Sequence, residues 1–310
     1  MQISILLAQQ IVKLFLMILV GYILVKLKIL DSKDSQVISK ILLYAVLPCS
    51  IVSAFLVDIT PDVVEGLKLT LVAAVLLQTL LLLCSHILRR IFRLDEVELT
   101  SVYYSNTGNL ILPIVSYMLG ADWIIYACSY LCVQTVFLWS HCRMLLSGAK
   151  EFHLKDLLLN INMIAVFVGL FLLITGFPVP ELLGSTVDTI AATVGPLSMF
   201  VIGMLIADSD LKRIFTNPRI YFISFLRLIC LPLLGLVILK ISGLTVWIEG
   251  AKTLLMITCF AVASPTATSV TQFCLLYGHD SRYAGEINVM TTLLSIVSMP
   301  MIIALFQIFL

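Results

Sequence analysis

The chain has 310 residues, of which 61% are apolar and only 12% charged, with a formal net charge of +1. Soluble domains carry roughly 25% charged residues to cover their surface, so this composition excludes a water-exposed globule. The mean hydropathy of +1.11 points to lipid as the main solvent, and no block of Lys and Arg suggests a nucleic-acid-binding arm.

Apolar runs near bilayer-spanning length fall at about 3–25, 37–57, 66–88, 97–119 and 121–144. A second set falls at about 157–175, 184–206, 216–239, 247–276 and 284–309. The expected fold is an all-α membrane protein of ten transmembrane helices. No basic residue precedes the first run, so it reads as a retained helix, not a cleaved leader. The polar connector 147–156 separates residues 1–146 from 157–310, with five spans in each part.

Lys and Arg mark the side of each loop. Fourteen fall in the connections following odd-numbered spans, among them Lys26, Lys28, Lys33, Arg89, Arg90, Arg93, Lys150 and Arg219. Only Lys68, Lys240 and Lys252 fall on the opposite side. This places a multi-pass protein in the cell membrane with both termini extracytoplasmic.

The two parts echo each other. Gly21 precedes Pro48 by 27 residues, as Gly169 precedes Pro196; Pro113 and Pro265 follow those prolines by 65 and 69. Because five is odd, the second repeat enters the membrane from the opposite side. That gives an inverted repeat, the arrangement by which carriers expose one midplane site to each side in turn.

In the first span, Gln9, Lys13, Met17 and Gly21 share one helical face. Lys13 lies too deep to reach the interface easily, so it is either paired in the bundle or a functional charge partner. The fourth span reads Ser105-Asn106-Thr107-Gly108-Asn109-Leu110-Ile111-Leu112-Pro113. Pro113 cannot donate to the carbonyl of Asn109, Gly108 weakens the same turn, and two asparagines are costly in hydrocarbon. The ninth span repeats this theme with Ser264, Pro265, Thr266 and Thr268, where Pro265 orphans the carbonyl of Ala261. A matched pair of discontinuous helices points to a transporter's binding site. Half-helix N-termini there favour an anion, with Asn106, Asn109, Thr266 and Thr268 as neutral donors and acceptors.

Arg227 in the eighth span is expected to reach the interface by extending its side chain. Gln78, Gln134 and Gln272 are expected to join helices, and Asn288, Thr292 and Ser295 form a polar stripe in the tenth span. The eight cysteines read as packing residues. No metal-ligand cluster, cofactor motif or phosphate-binding glycine loop occurs, so neither an enzyme nor an ATP-driven pump is expected. No carboxylate stands clearly at mid-bilayer, which leaves the driving force open.

Leu47-Pro48, Asn106-Thr107-Gly108-Asn109 with Pro113, Pro196-Leu197-Ser198-Met199 with Gly203-Met204, Ala263-Ser264-Pro265, and Thr291-Thr292-Leu293-Leu294-Ser295 with Pro300 run nearly end to end. In order and spacing they resemble the auxin efflux carrier family in its short, prokaryotic form, within the bile, arsenite and riboflavin transporter superfamily. The resemblance implies a scaffold domain and a transport domain whose helices four and nine cross at their prolines. It also implies a small organic anion as substrate and, often, a homodimer. Carried over, Asn106 and the neighbourhoods of Pro113 and Pro265 become site positions. The long central loop of the plant carriers is missing, and Ser105 stands where they have proline before the asparagine. A weak carboxylic acid or dicarboxylate is therefore expected rather than auxin. The expected function is secondary transport by alternating access, with a channel or membrane sensor on the same fold as the alternative.

Overall fold

The computed structural model describes residues 2–57, 60–148, 155, 158–208 and 211–310. Lys150 and most of the 147–156 connector lie outside the described residues, as does the side chain of Gln9. In chain order the helices are α1 (Gln2–Lys26), α2 (Ser32–Ala54), α3 (Pro61–Phe92), α4 (Glu96–Tyr103) and α5 (Thr107–Leu119). They continue with α6 (Ala121–Ser147), α7 (Ile161–Thr175), α8 (Glu181–Asp208), α9 (Leu211–Thr216) and α10 (Pro218–Ser242). The last are α11 (Ala251–Ala263), α12 (Thr268–Leu276) and α13 (Ser281–Phe309).

Among the described residues, α2, α3, α6, α8, α10 and α13 are long and apolar enough to cross a membrane, and α5, α7 and α11 are shorter apolar helices. Large apolar side chains such as Leu16, Leu83, Phe171, Ile174 and Ile241 point outward. Meanwhile Gln78, Asn106, Arg227, Glu286 and Asn288 are buried. Polar groups inside and apolar groups outside are what a lipid solvent selects, because unpaired polar groups cost several kcal/mol in hydrocarbon.

Helix ends follow local chemistry. Thr60 caps α3 by accepting from the Val63 N–H, with Pro61 next to it. At the far end Arg93 adopts the left-handed conformation. Asp95 and Glu98 form a reciprocal capping box at the start of α4. Arg219 of α10 grips the buried Glu98 carboxylate with Nε and Nη2, each at 2.7 Å, and the Tyr283 hydroxyl donates to it at 3.0 Å. This end of the bundle also carries the Arg89–Glu96 pair and Glu286, which Arg213 and Arg282 approach at 3.2 and 3.4 Å.

Several prolines sit just after π turns within continuous helical segments. π turns at Leu42–Val46, Thr107–Ile111 and Leu226–Cys230 each run straight into a Leu-Pro pair, at 47–48, 112–113 and 231–232. A proline ring collides with the carbonyl four residues back and has no N–H to give. The extra residue of a π turn moves that carbonyl away and absorbs the mismatch.

Packing divides the helices into two groups. In one, α1 lies along α8 while α7 lies along α2; in the other, α3 packs on α6, α10 and α11. The α1–α8 contact is backbone on backbone: a Cβ on Gly21 would stand 2.3 Å from the Phe200 carbonyl oxygen, and one on Gly203 would stand 2.0 Å from that of Ile18. Main-chain atoms cannot step aside, so neither position accepts a side chain. Gly203→Ala should therefore destabilise the protein by about 1–3 kcal/mol. Gly184→Ala, in the same helix but with nothing within 4 Å, should be neutral or slightly stabilising. Thermal unfolding of the two variants in one detergent tests this, and equal midpoints would contradict it.

Candidate functional site

The two broken helices meet. α4 ends at Tyr103 and α5 starts at Thr107; α11 ends at Ala263 and α12 starts at Thr268. The extended residues between them cross and pair. The Asn106 N–H donates to the Pro265 carbonyl and the Ala267 N–H to that of Tyr104, each at 2.9 Å. Ser105 and Thr266 thereby form a single antiparallel bridge inside a helical bundle.

This places the first break upstream of where proline chemistry alone locates it. The chain leaves the helix at Tyr104–Asn106, and Pro113 instead sits in the first turn of a helical stretch that follows the Thr107–Ile111 π turn. Nor is the Ala261 carbonyl orphaned by Pro265, since the Ser264 hydroxyl donates to it at 3.0 Å.

Backbone groups freed by the breaks are satisfied from three sides. Gln134 of α6 donates from Nε2 to the Ser105 carbonyl at 2.6 Å, and its Oε1 accepts from the Ser105 and Thr107 hydroxyls. Asn288 of α13 donates to the Thr266 carbonyl at 2.6 Å, and the Thr291 hydroxyl accepts from the Thr266 N–H at 3.2 Å. The Thr266 hydroxyl itself donates to the Ser101 carbonyl at 2.8 Å.

The third side is Arg227. It does not reach the interface: only 1% of it is exposed, and it lies in the π turn of α10 with its guanidinium at the crossing. Nε donates to the Ser264 carbonyl at 3.0 Å, and Nη2 to that of Val262 at 3.1 Å. Nη1 donates to the carbonyls of Val102 and Tyr103 at 3.2 and 3.3 Å. One side chain thus ties the C-termini of α4 and α11 together. The signal was in the sequence: a deep charge survives in a membrane only when partnered. What the sequence does not show is that the partners are main-chain carbonyls.

The N-terminal ends of the downstream halves are different. Neither α5 nor α12 has a side-chain cap on its first turn, and the first N–H groups of a helix have no partner within it. Around them Gly108, Asn109 and Thr268 are half-buried, and Asn109 Nδ2 donates to the Thr268 hydroxyl at 3.0 Å. Asn106 is 4% exposed, and its Nδ2 has no hydrogen-bond partner among the described residues.

Of the residues singled out in the sequence, the crossing gathers Asn106, Thr107, Gly108, Asn109, Ser264, Pro265, Thr266 and Thr268. Thr107, Ser264 and Thr266 spend their hydroxyls on structure. Pro113 lies beyond the π turn, next to Gly195 of α8. Lys13 is exposed on α1, and among the described residues no carboxylate pairs with it. Gln78 does join helices, donating to the Tyr130 carbonyl at 2.9 Å, whereas Gln272 is exposed.

An apolar helical bundle whose two interrupted helices cross at a buried polar centre is the build of a multi-pass membrane transport protein. A family model described as membrane transport protein matches residues 6–156 and 146–303. The chain belongs to that family, which is the auxin efflux carrier family. Comparison with curated proteins gives no match.

Removing the guanidinium should leave four carbonyls facing each other without a donor. Arg227→Met should cost about 3 kcal/mol or more, and Arg227→Lys should recover only part, because an ammonium lacks the fork. Unfolding midpoints of the two variants against the parent measure this. A midpoint for Arg227→Met within a degree of the parent would contradict the tie.

Proposed function

We propose that this transporter is a secondary carrier for a small organic anion, a weak carboxylic acid or dicarboxylate, working by alternating access around the crossing. The observation that carries the reading is the pair of uncapped half-helix N-termini beside the unpartnered Asn106 amide. Backbone N–H groups and dipole ends attract an anion. A buried amide donor without a partner costs about 1–3 kcal/mol, which an entering carboxylate oxygen would recover.

The charge balance supports one carboxylate at the centre. Each helix end is equivalent to roughly half an elementary charge. The two C-termini therefore amount to about one negative charge, which Arg227 offsets. The two N-termini leave about one positive charge unopposed.

Alternating access rests on ten spans arranged as two inverted repeats, residues 1–146 and 157–310. Two features support that arrangement. α1 packs on α8 while α7 packs on α2, so the first helix of each proposed repeat lies on the second helix of the other. The glycines that mark the repeat take part: Gly21 meets Phe200, and Gly169 meets Phe55. The basic loops favour extracytoplasmic termini, and the family resemblance suggests a homodimer in the cell membrane.

Uptake of labelled malate, malonate and other carboxylates into proteoliposomes holding the purified protein tests the reading. Saturable uptake with counterflow is expected for at least one acid. Flux without saturation or counterflow would assign a channel instead, and binding without flux a sensor. Because Asn106 Nδ2 has no hydrogen-bond partner among the described residues, Asn106→Ala should lower uptake or affinity about tenfold, near 1.4 kcal/mol, with an unfolding midpoint no lower than the parent's. Parental kinetics in that variant would remove Asn106 from the site.

A further inference from the structure

Away from the crossing, the last turns of α3 border a cleft of about 500 Å³ lined by His86, Arg89, Arg90, Arg93 and Leu94. We infer that this cleft binds the phosphate of an anionic phospholipid headgroup, with the acyl chains lying along the outer face of α3.

Arg89 is matched by Glu96, but among the described residues no carboxylate pairs with Arg90 or Arg93. The cleft therefore holds two uncompensated guanidiniums on one wall, and such forks bind phosphate oxygens two at a time. Loop arginines at one end of a membrane protein are ordinary topology markers; a concave wall that collects them is not explained by topology alone.

Beneath the exposed Arg90 and Arg93 side chains, the His86 ring and the Arg93 backbone are held in place. His86 Nδ1 donates to the Leu82 carbonyl at 3.0 Å, and its ring meets that of His141 with centroids 5.1 Å apart. His141 in turn lies 2.9 Å from the Tyr104 hydroxyl. Arg93 is fixed in the left-handed conformation that ends α3, where its N–H donates to the Arg89 carbonyl.

An apolar stripe beside the cleft favours a lipid over a free anion. Leu83, Ile87 and Ile91, spaced every fourth residue, are 57%, 57% and 62% exposed. At that spacing they form one outward stripe flanking the row that carries His86, Arg90 and Arg93. A basic pocket beside an unpartnered apolar stripe fits a headgroup joined to its chains. A soluble phosphate would use only the first of these.

The test is native mass spectrometry of the purified full chain with phosphatidylglycerol, phosphatidylcholine or inorganic phosphate. The parent should retain one phosphatidylglycerol at least tenfold better than phosphatidylcholine. Arg90→Gln/Arg93→Gln should lose that preference, and Arg90→Lys/Arg93→Lys should keep part of it. Leu83→Gln/Ile87→Gln should weaken lipid retention. An undiminished preference in the glutamine pair would overturn the site. Should that pair fail to fold, an undiminished preference in Arg93→Gln alone would do the same. If inorganic phosphate displaces the lipid at equal concentration, the site takes a soluble anion and the lipid assignment is wrong.

Discussion

The crossing depends on one guanidinium. Two helices that stop in the middle of a low-dielectric bundle expose carbonyls at one end and N–H groups at the other, and hydrocarbon satisfies neither. Arg227 takes the carbonyl ends of both upstream halves at once, at 3.0–3.3 Å. Without it, four oxygens with the same partial charge would face each other, and the extended segments would have little reason to stay extended. With it, the crossing has a fixed polarity. Its C-terminal ends are neutralised and buried, while its N-terminal ends carry no side-chain cap and lie beside the half-buried Gly108, Asn109 and Thr268. The Ser105–Thr266 bridge and the amides of Gln134 and Asn288 then lock the geometry.

The same logic connects the centre to its surroundings. α4 is held at its outer end by the Arg219–Glu98–Tyr283 cluster and at its inner end by Arg227. Both arginines belong to α10, so α10 holds α4 at each end. The α1–α8 and α7–α2 pairs have no such charged ties among the described residues to the crossing. They meet through glycine and aromatic contacts, with Leu47 of α2 reaching the neighbourhood of Gly108. A polar, internally tied group thus lies beside an apolar, closely packed one.

Much of this was legible in the residues. Composition alone demanded a membrane solvent, and the family was readable from short motifs spread along the chain. The two breaks were visible because proline, serine, threonine and asparagine cluster where a helix would want leucine. Their exact place was not. Pro113 looks like a break, yet the π turn ahead of it absorbs the missing donor, and the chain opens seven or more residues earlier. The place of Arg227 was hidden for a related reason: depth in a span can be read from sequence, but main-chain carbonyls 37 and 125 residues away cannot. Lys13 shows the converse, since a shared helical face with Gly21 does not place it at the crossing; Gly21 faces the α8 backbone while Lys13 is exposed.

In the proposed carrier an anion sits at the N-terminal ends of α5 and α12, within reach of Asn106. A structure determined with a transported carboxylate bound measures this directly. A carboxylate oxygen is expected within about 3 Å of Asn106 Nδ2, with backbone N–H groups of the two half-helices completing its shell. A carboxylate seated on Arg227 in place of its carbonyls, or at the Arg89–Arg93 end of the bundle with the crossing empty, would contradict it.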